Sequence, residues 1–139
     1  MKYLDTNIIL YAIQNHPEYG SPCKKILTAI ESGREKVGAS TLVLLEVYGT
    51  LRKLNGILRR KKKKELDIQG NISAILSLPI VWFDMSVFVI ERAITYSYQM
   101  QTADYIHLAT ADIQGMREIF SADHEFDDIS WLSRIDPLQ

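Results

Sequence analysis

Four carboxylates stand where a globular fold has little structural use for them. Asp5 closes the apolar opening Met1-Lys2-Tyr3-Leu4 and is followed at once by Thr6-Asn7. Glu46 interrupts the apolar stretch Leu42-Val43-Leu44-Leu45-Glu46-Val47, and Asp104 begins the helical pattern from Ala103 to Ala111. Asp123 follows the strand-like Glu118-Ile119-Phe120-Ser121. A buried or half-buried carboxylate costs several kcal/mol unless a cation or hydrogen-bond donors compensate it. Taken singly, Asp5 and Asp123 are equally well read as turn or cap residues and Glu46 as solvent-facing. Taken together, the four point to one shared metal site. Like charges at close range cannot all stay ionised without a cation, because each raises the pKa of its neighbours. Oxygen-only ligands select hard ions, so Mg²⁺ or Mn²⁺ is expected rather than zinc or copper. Two such ions about 4 Å apart can activate a water and stabilise the leaving oxygen of a phosphodiester.

The elements that must position these acids alternate between strand and helix. Tyr3-Leu4 reads as a short buried strand, and Thr6 opens a helix through Ile13. Ser21-Pro22 reads as an N-cap and first helical residue, with Gly33 as the stop. Lys36 to Ala39 is a second strand. Ser40 or Thr41 caps a helix carrying Leu42, Leu45, Glu46, Leu51 and Leu54, which is expected to stop at Asn55-Gly56. A charged helix follows and turns apolar at Ile72, Ile75, Leu76 and Leu78 before Pro79. Ile80-Val81-Trp82-Phe83 is the clearest strand, after which Asp84 is expected to cap a helix reaching Tyr98. Gly115 leads into a strand from Arg117 to Phe120, and Leu132 to Ile135 forms a last edge strand. Such alternation implies a three-layer α/β/α fold with a central, mainly parallel sheet, in which sites form at the carboxyl ends of the strands. Asp5 and Asp123 both occupy strand ends of that kind. The 139 residues, 47% of them hydrophobic, suit one domain over 1–139.

Composition narrows the function further. No apolar run reaches the roughly 18 residues needed to cross a bilayer, and the opening lacks the sections of a signal peptide. A cytoplasmic protein with no membrane association is the expectation. The single cysteine, Cys23, excludes an intrachain disulfide and a cysteine-rich zinc site. Net charge is −1, but the basic residues Arg52, Lys53 and Arg59-Arg60-Lys61-Lys62-Lys63-Lys64 concentrate in the middle of the chain, and acids dominate from Asp104 onward. The run from Arg59 to Lys64 reads either as a solvated helix start or as a contact to RNA phosphates, which would supply sequence-independent affinity.

The segments Tyr3-Leu4-Asp5-Thr6-Asn7, Ser40 to Glu46, Thr102 to Ala111 and Ser121-Ala122-Asp123-His124-Glu125-Phe126 resemble, in order and spacing, the four motifs of PIN-domain ribonucleases. The resemblance covers essentially the whole chain, and the small size is most similar to the VapC-type toxins of prokaryotic toxin–antitoxin pairs. It implies that Asp5, Glu46, Asp104 and Asp123 bind one or two Mg²⁺ or Mn²⁺ ions. Thr6 and Asn7 would orient them, and Ser121 stands where the family usually has threonine. Tyr105 occupies a position that is commonly alanine. Asp127 is a further candidate acid. The resemblance also implies hydrolysis of RNA to 5′-phosphate and 3′-hydroxyl ends, a protein antitoxin as inhibitor, and a homodimer.

His107, three residues after Asp104, lies on the same helix face. It reads as a hydrogen-bonded packing histidine rather than a general base, because water activated by a metal needs no protein base. Rival readings are a PIN nuclease of RNA processing, a catalytically inactive RNA- or protein-binding PIN domain, and a phosphotransferase using Asp5 as nucleophile. The last is weakened by Asn7, which stands where that chemistry usually places a second acid.

Overall fold

A computed structural model describes residues 1–139. Its strands are β1 (Lys2–Leu4), β2 (Val37–Ser40), β3 (Ile80–Phe83), β4 (Glu118–Phe120) and β5 (Ser133–Ile135). They form one sheet in the order β3-β2-β1-β4-β5, and every neighbouring pair is parallel. Parallel pairing requires crossovers. The helices α1 (Thr6–Ile13), α2 (Gly20–Glu31), α3 (Leu42–Arg60), α4 (Ile68–Ser77), α5 (Val87–Ala93) and α6 (Thr102–Ile113) supply them, with a 3₁₀ turn over His124–Asp128 between β4 and β5. No helix is long and apolar enough to cross a membrane.

Side chains of successive strand residues point to opposite faces, and this divides the core in two. Leu4 and Phe120 pack with Ile8, Ile9, Cys23, Ile30, Val43, Val47, Leu51 and Ile75 under α1 to α4. Tyr3 and Ile119 pack on the other face with Leu108, Ala111, Met116 and Phe126, under α6 and the 3₁₀ turn. The result is the three-layer α/β/α arrangement expected. Gly38 is required by close approach: a Cβ there would lie 2.8 Å from the Phe83 ring and 2.9 Å from Met1 Sδ.

Several local expectations are corrected. Helix α3 runs through Asn55-Gly56 to Arg60. Asn55 is buried, and its amide pairs with the backbone of Leu66, donating to the carbonyl at 2.9 Å and accepting the N–H at 2.7 Å. That tertiary pairing overrides the Asn-Gly turn signal. The cations from Arg59 therefore do not start a helix. Arg59 and Arg60 end α3, Lys61 is its C-cap, Lys62 has φ +55°, and an exposed segment leads to α4, capped by Asp67. Helix α2 begins at Gly20 rather than after Ser21, and Gly33 (φ +79°) lies just past its end. Ser86, not Asp84, caps α5, accepting the Val89 N–H at 3.3 Å. That helix ends at Ala93, because Tyr96 and Tyr98 turn inward against the second core and Tyr96 Oη donates to Asp112.

Candidate metal centre

The first acid is placed by the end of β1. Asp5 is the N-cap of α1, with Oδ1 accepting the Thr6 N–H at 2.8 Å. Its other oxygen, Oδ2, accepts from the Ser121 hydroxyl at 2.6 Å and from Asn7 Nδ2 at 3.1 Å. The residue is 5% exposed. Burial raises its pKa, against the opposing effects of the His107 charge and the hydrogen bonds from Ser121 and Thr6. Both oxygens are committed to donors, which suits a fixed ligand better than the nucleophile of a phosphotransferase.

The adjacent strand end, β4, supplies two more. The Ser121 hydroxyl, while donating to Asp5, accepts the Asp123 N–H at 3.0 Å, and Asn7 Oδ1 accepts the Ala122 N–H at 3.3 Å. Asn7 and Ser121 thus tie the turn after β4 to the turn after β1. Asp123 caps the 3₁₀ turn by accepting the Glu125 N–H at 2.9 Å. One carboxylate oxygen each from Asp104, Asp123 and Glu125 lie within 4.8 Å of one another.

Helices α3 and α6 bring the remaining two acids from opposite layers of the sheet. Asp104, in the first turn of α6, has its pKa pushed up to about 7, by burial first and then by the charges of Asp5, Asp123 and Glu125, with His107 opposing. Glu46 stands slightly apart. Its Oε1 accepts from the Thr6 hydroxyl at 2.7 Å and lies 2.5 Å from His107 Nε2, which leaves Oε2 without a protein donor. Burial works to raise the Glu46 pKa, but hydrogen bonds and charge from His107, with the Thr6 bond, hold it below the usual carboxylate range.

His107 itself is 1% exposed, and its Nδ1 lies 2.6 Å from Tyr3 Oη, which accepts the Ser40 N–H. Tyr3 Oη and Glu46 Oε1 thus hold the two ring nitrogens of His107 from opposite ends, with the Nε2 proton directed at the carboxylate. Burial opposes charging this ring. The Glu46 hydrogen bond and the charges of Asp5, Glu46 and Asp104 outweigh it, so its pKa is raised above that of ordinary imidazole. The buried chain from Ser40 through Tyr3 and His107 to Glu46 fixes the orientation of that carboxylate, the kind of outer support that metal ligands need.

Of the four predicted acids, the structure therefore brings Asp104 and Asp123 together, ties Asp5 to the same turn through Ser121 and leaves Glu46 linked by Thr6 and His107, and it adds Glu125, which sequence reasoning missed. The available signal was its spacing: two residues after Asp123, at the start of a tight turn. Asp127 goes elsewhere. It forms a two-point ion pair with Arg134 at 2.8 and 3.2 Å, lies 3.2 Å from His124 Nδ1, and has its pKa lowered by those contacts. The donor set fits a divalent cation on its own chemistry. Every candidate ligand is a carboxylate, three of them converge, and the mutual repulsion felt at Asp104 is what a hard cation would relieve.

The sequence profile of the PIN domain matches residues 2–132. No curated protein matches the chain by sequence. Among solved structures, a toxin–antitoxin complex from Klebsiella pneumoniae contains a similar chain, with TM-score 0.70 and 19% identity over 99% of this chain and 98% of that one. VapC20 of Mycobacterium tuberculosis, a sarcin–ricin loop cleaving toxin, is similar with TM-score 0.70 and 15% identity, covering 95% of this chain and 97% of that one. The DNA-bound VapBC complex of Salmonella typhimurium gives TM-score 0.65 and 16% identity, over 99% and 98%. At such identities the likeness is one of fold.

Proposed function

We propose that this chain, which belongs to the PIN-domain family, is a divalent-metal-dependent endoribonuclease acting as the toxin of a toxin–antitoxin pair. The observation that carries the reading is the convergence of acids from separate elements. Asp104, Asp123 and Glu125 present oxygens within 4.8 Å of one another, beside a buried Asp5. Asp5, Asp104, Asp123 and Glu125 would hold Mg²⁺ or Mn²⁺, with Glu46 completing the site through its free oxygen. When bound, the ion supplies activation of a water and charge stabilisation at the scissile phosphate. The chain's own contribution is preorganisation. Thr6, Asn7 and Ser121 hold the Asp5 carboxylate by three hydrogen bonds, and His107 and Thr6 hold that of Glu46.

RNA is the substrate the family implies, and the similarity to toxin–antitoxin complexes supports a protein antitoxin as partner. The exposed cations after α3 offer phosphate contacts outside the acidic centre. Val87, Phe88 and Ile94, at 72, 60 and 79% exposure on and just after α5, offer a face for self-association into the expected homodimer.

The test is cleavage of end-labelled RNAs, among them a sarcin–ricin loop oligonucleotide, by wild type and Asp104→Asn with Mg²⁺, Mn²⁺ or chelator. Wild type should cut only with metal and leave 5′-phosphate ends, and the variant should not cut. Cleavage in chelator, or equal cleavage by the variant, would overturn the assignment. No cleavage of any RNA by wild type with Mn²⁺ would instead favour a binding domain.

A further inference from the structure

Arg134 lies on the edge strand β5, yet its side chain is only 7% exposed. The guanidinium has five N–H donors in a fixed fork, and it reaches four residues around the acidic turn. Nε and Nη2 grip the two oxygens of Asp127 at 2.8 and 3.2 Å. Nη1 donates to the Ser121 carbonyl at 2.9 Å and lies 3.3 Å from Asp136 Oδ2, while Nη2 also lies 2.9 Å from His124 Nδ1. These contacts bracket the acidic turn. Asp123 stands between Ser121 and His124, and Glu125 between His124 and Asp127. The residues on either side of both acids are thus pinned to one side chain, and a planar two-point pair fixes orientation as well as distance.

We propose that Arg134 is a positioning residue that presets the Asp123–Glu125 pair for a divalent ion. The proposal rests on the metal-dependent reading given above and adds a residue that touches neither metal nor RNA. It also gives Asp127 a different role from the one its place in an acidic run implies. Asp127 is the counter-ion of the brace, holding the far end of the 3₁₀ turn while the Ser121 carbonyl holds the near end. Without the brace, Asp123 keeps its bond to Ser121 and Ala122 its tie to Asn7, but the far half of the turn, from Glu125 to Asp127, loses its link to β5. Supports of this outer kind typically alter metal affinity by about 10–100-fold.

Mn²⁺ binding to the full chain, followed by titration calorimetry, tests this with wild type, Arg134→Gln, Arg134→Lys, Asp127→Asn and the double variant Arg134→Gln/Asp127→Asn. Arg134→Gln should weaken Mn²⁺ by about 10–100-fold while its circular dichroism spectrum stays that of wild type. Arg134→Lys keeps the charge but not the fork, and should recover only part of the affinity. Asp127→Asn should weaken binding less than Arg134→Gln. The double variant should bind no more weakly than Arg134→Gln alone, because both changes break one contact. Should Arg134→Gln fail to fold, Arg134→Lys and Asp127→Asn carry the same comparison. A folded Arg134→Gln with wild-type Mn²⁺ affinity overturns the proposal, even if its melting temperature falls. Losses that multiply in the double variant overturn it too, since Asp127 would then act on the metal independently. If wild type itself binds no Mn²⁺, the metal-dependent reading falls with it. Wild-type binding that survives every variant removes the brace alone.

Discussion

Replacing Asp104 by asparagine should stabilise the metal-free protein at neutral pH and leave it unchanged in acid. The carboxyl of Asp104 titrates near 7, against 3.8 ordinarily, chiefly because of burial and the charges of Asp5 and Asp123. The native state therefore binds this proton more tightly than the unfolded chain does. Between about pH 4 and 7 the folded form holds more protons, so stability falls as pH rises through that window and the loss is complete just above 7. At about 1.4 kcal/mol per pH unit the ceiling is about 4 kcal/mol. Asp104 is half-buried and keeps contact with solvent, and screening reduces this to about 1–2 kcal/mol. Asparagine abolishes that cost but forfeits a favourable charge in the first turn of α6, worth about 0.3–1 kcal/mol. Relief of burial and repulsion outweighs the lost helix-end charge, so the net gain at pH 8 is about 1 kcal/mol, or roughly 3–5 °C for a domain of this size. Thermal melts of both proteins in chelator at pH 4.5, 6 and 8 measure it. With excess Mn²⁺ the order should reverse, because wild type gains more from binding. A variant that melts no higher than wild type at pH 8, or whose advantage is equally large at pH 4.5, would refute the reasoning.

Substituting Lys61 to Lys64 with glutamine should weaken RNA binding and flatten the slope of log affinity against log salt. An unchanged slope would leave these cations as solvated surface. Asn55→Ala removes two hydrogen bonds to the part-buried backbone of Leu66 and should cost about 1–3 kcal/mol in urea melts. A loss under 0.5 kcal/mol, on the same order as a surface change, would mean water replaces the amide. Tyr3→Phe removes the hydroxyl that pairs with His107 Nδ1 and accepts from Ser40. It should lower Mn²⁺ affinity by about tenfold through Glu46; wild-type affinity would confine the chain of hydrogen bonds to packing.

Much of the architecture was legible in the sequence because the strands are short apolar runs separated by helical periods, and a parallel sheet follows from that alternation. Asp5, Asp104 and Asp123 were visible as carboxylates out of keeping with their surroundings. Glu125 was not, because it sits in an acidic turn where Glu125, Asp127 and Asp128 look alike. What separates Glu125 from Asp127 is the three-residue pitch of a 3₁₀ turn and the arrival of Arg134 on β5. Neither can be read from local pattern. The end of α3 failed for a related reason: Asn55-Gly56 carries a local turn signal, and the partner that overrides it, Leu66, lies eleven residues on.

The order of the sheet bears on how the protein is made. The central strand, β1, pairs with a neighbour, β4, that lies far along the sequence, and Ser121 reaches back across 116 positions to Asp5. Contacts of such separation close slowly, because the entropy of a long loop must be lost before they form. On a ribosome, the nascent chain can assemble the layer of α1 to α4 while Asp104, Asp123 and Glu125 are still unmade. A growing polypeptide therefore carries no complete set of acids until β4 and the turn after it have emerged. A nuclease of the kind proposed therefore lacks its full set of acids for as long as that turn is unmade.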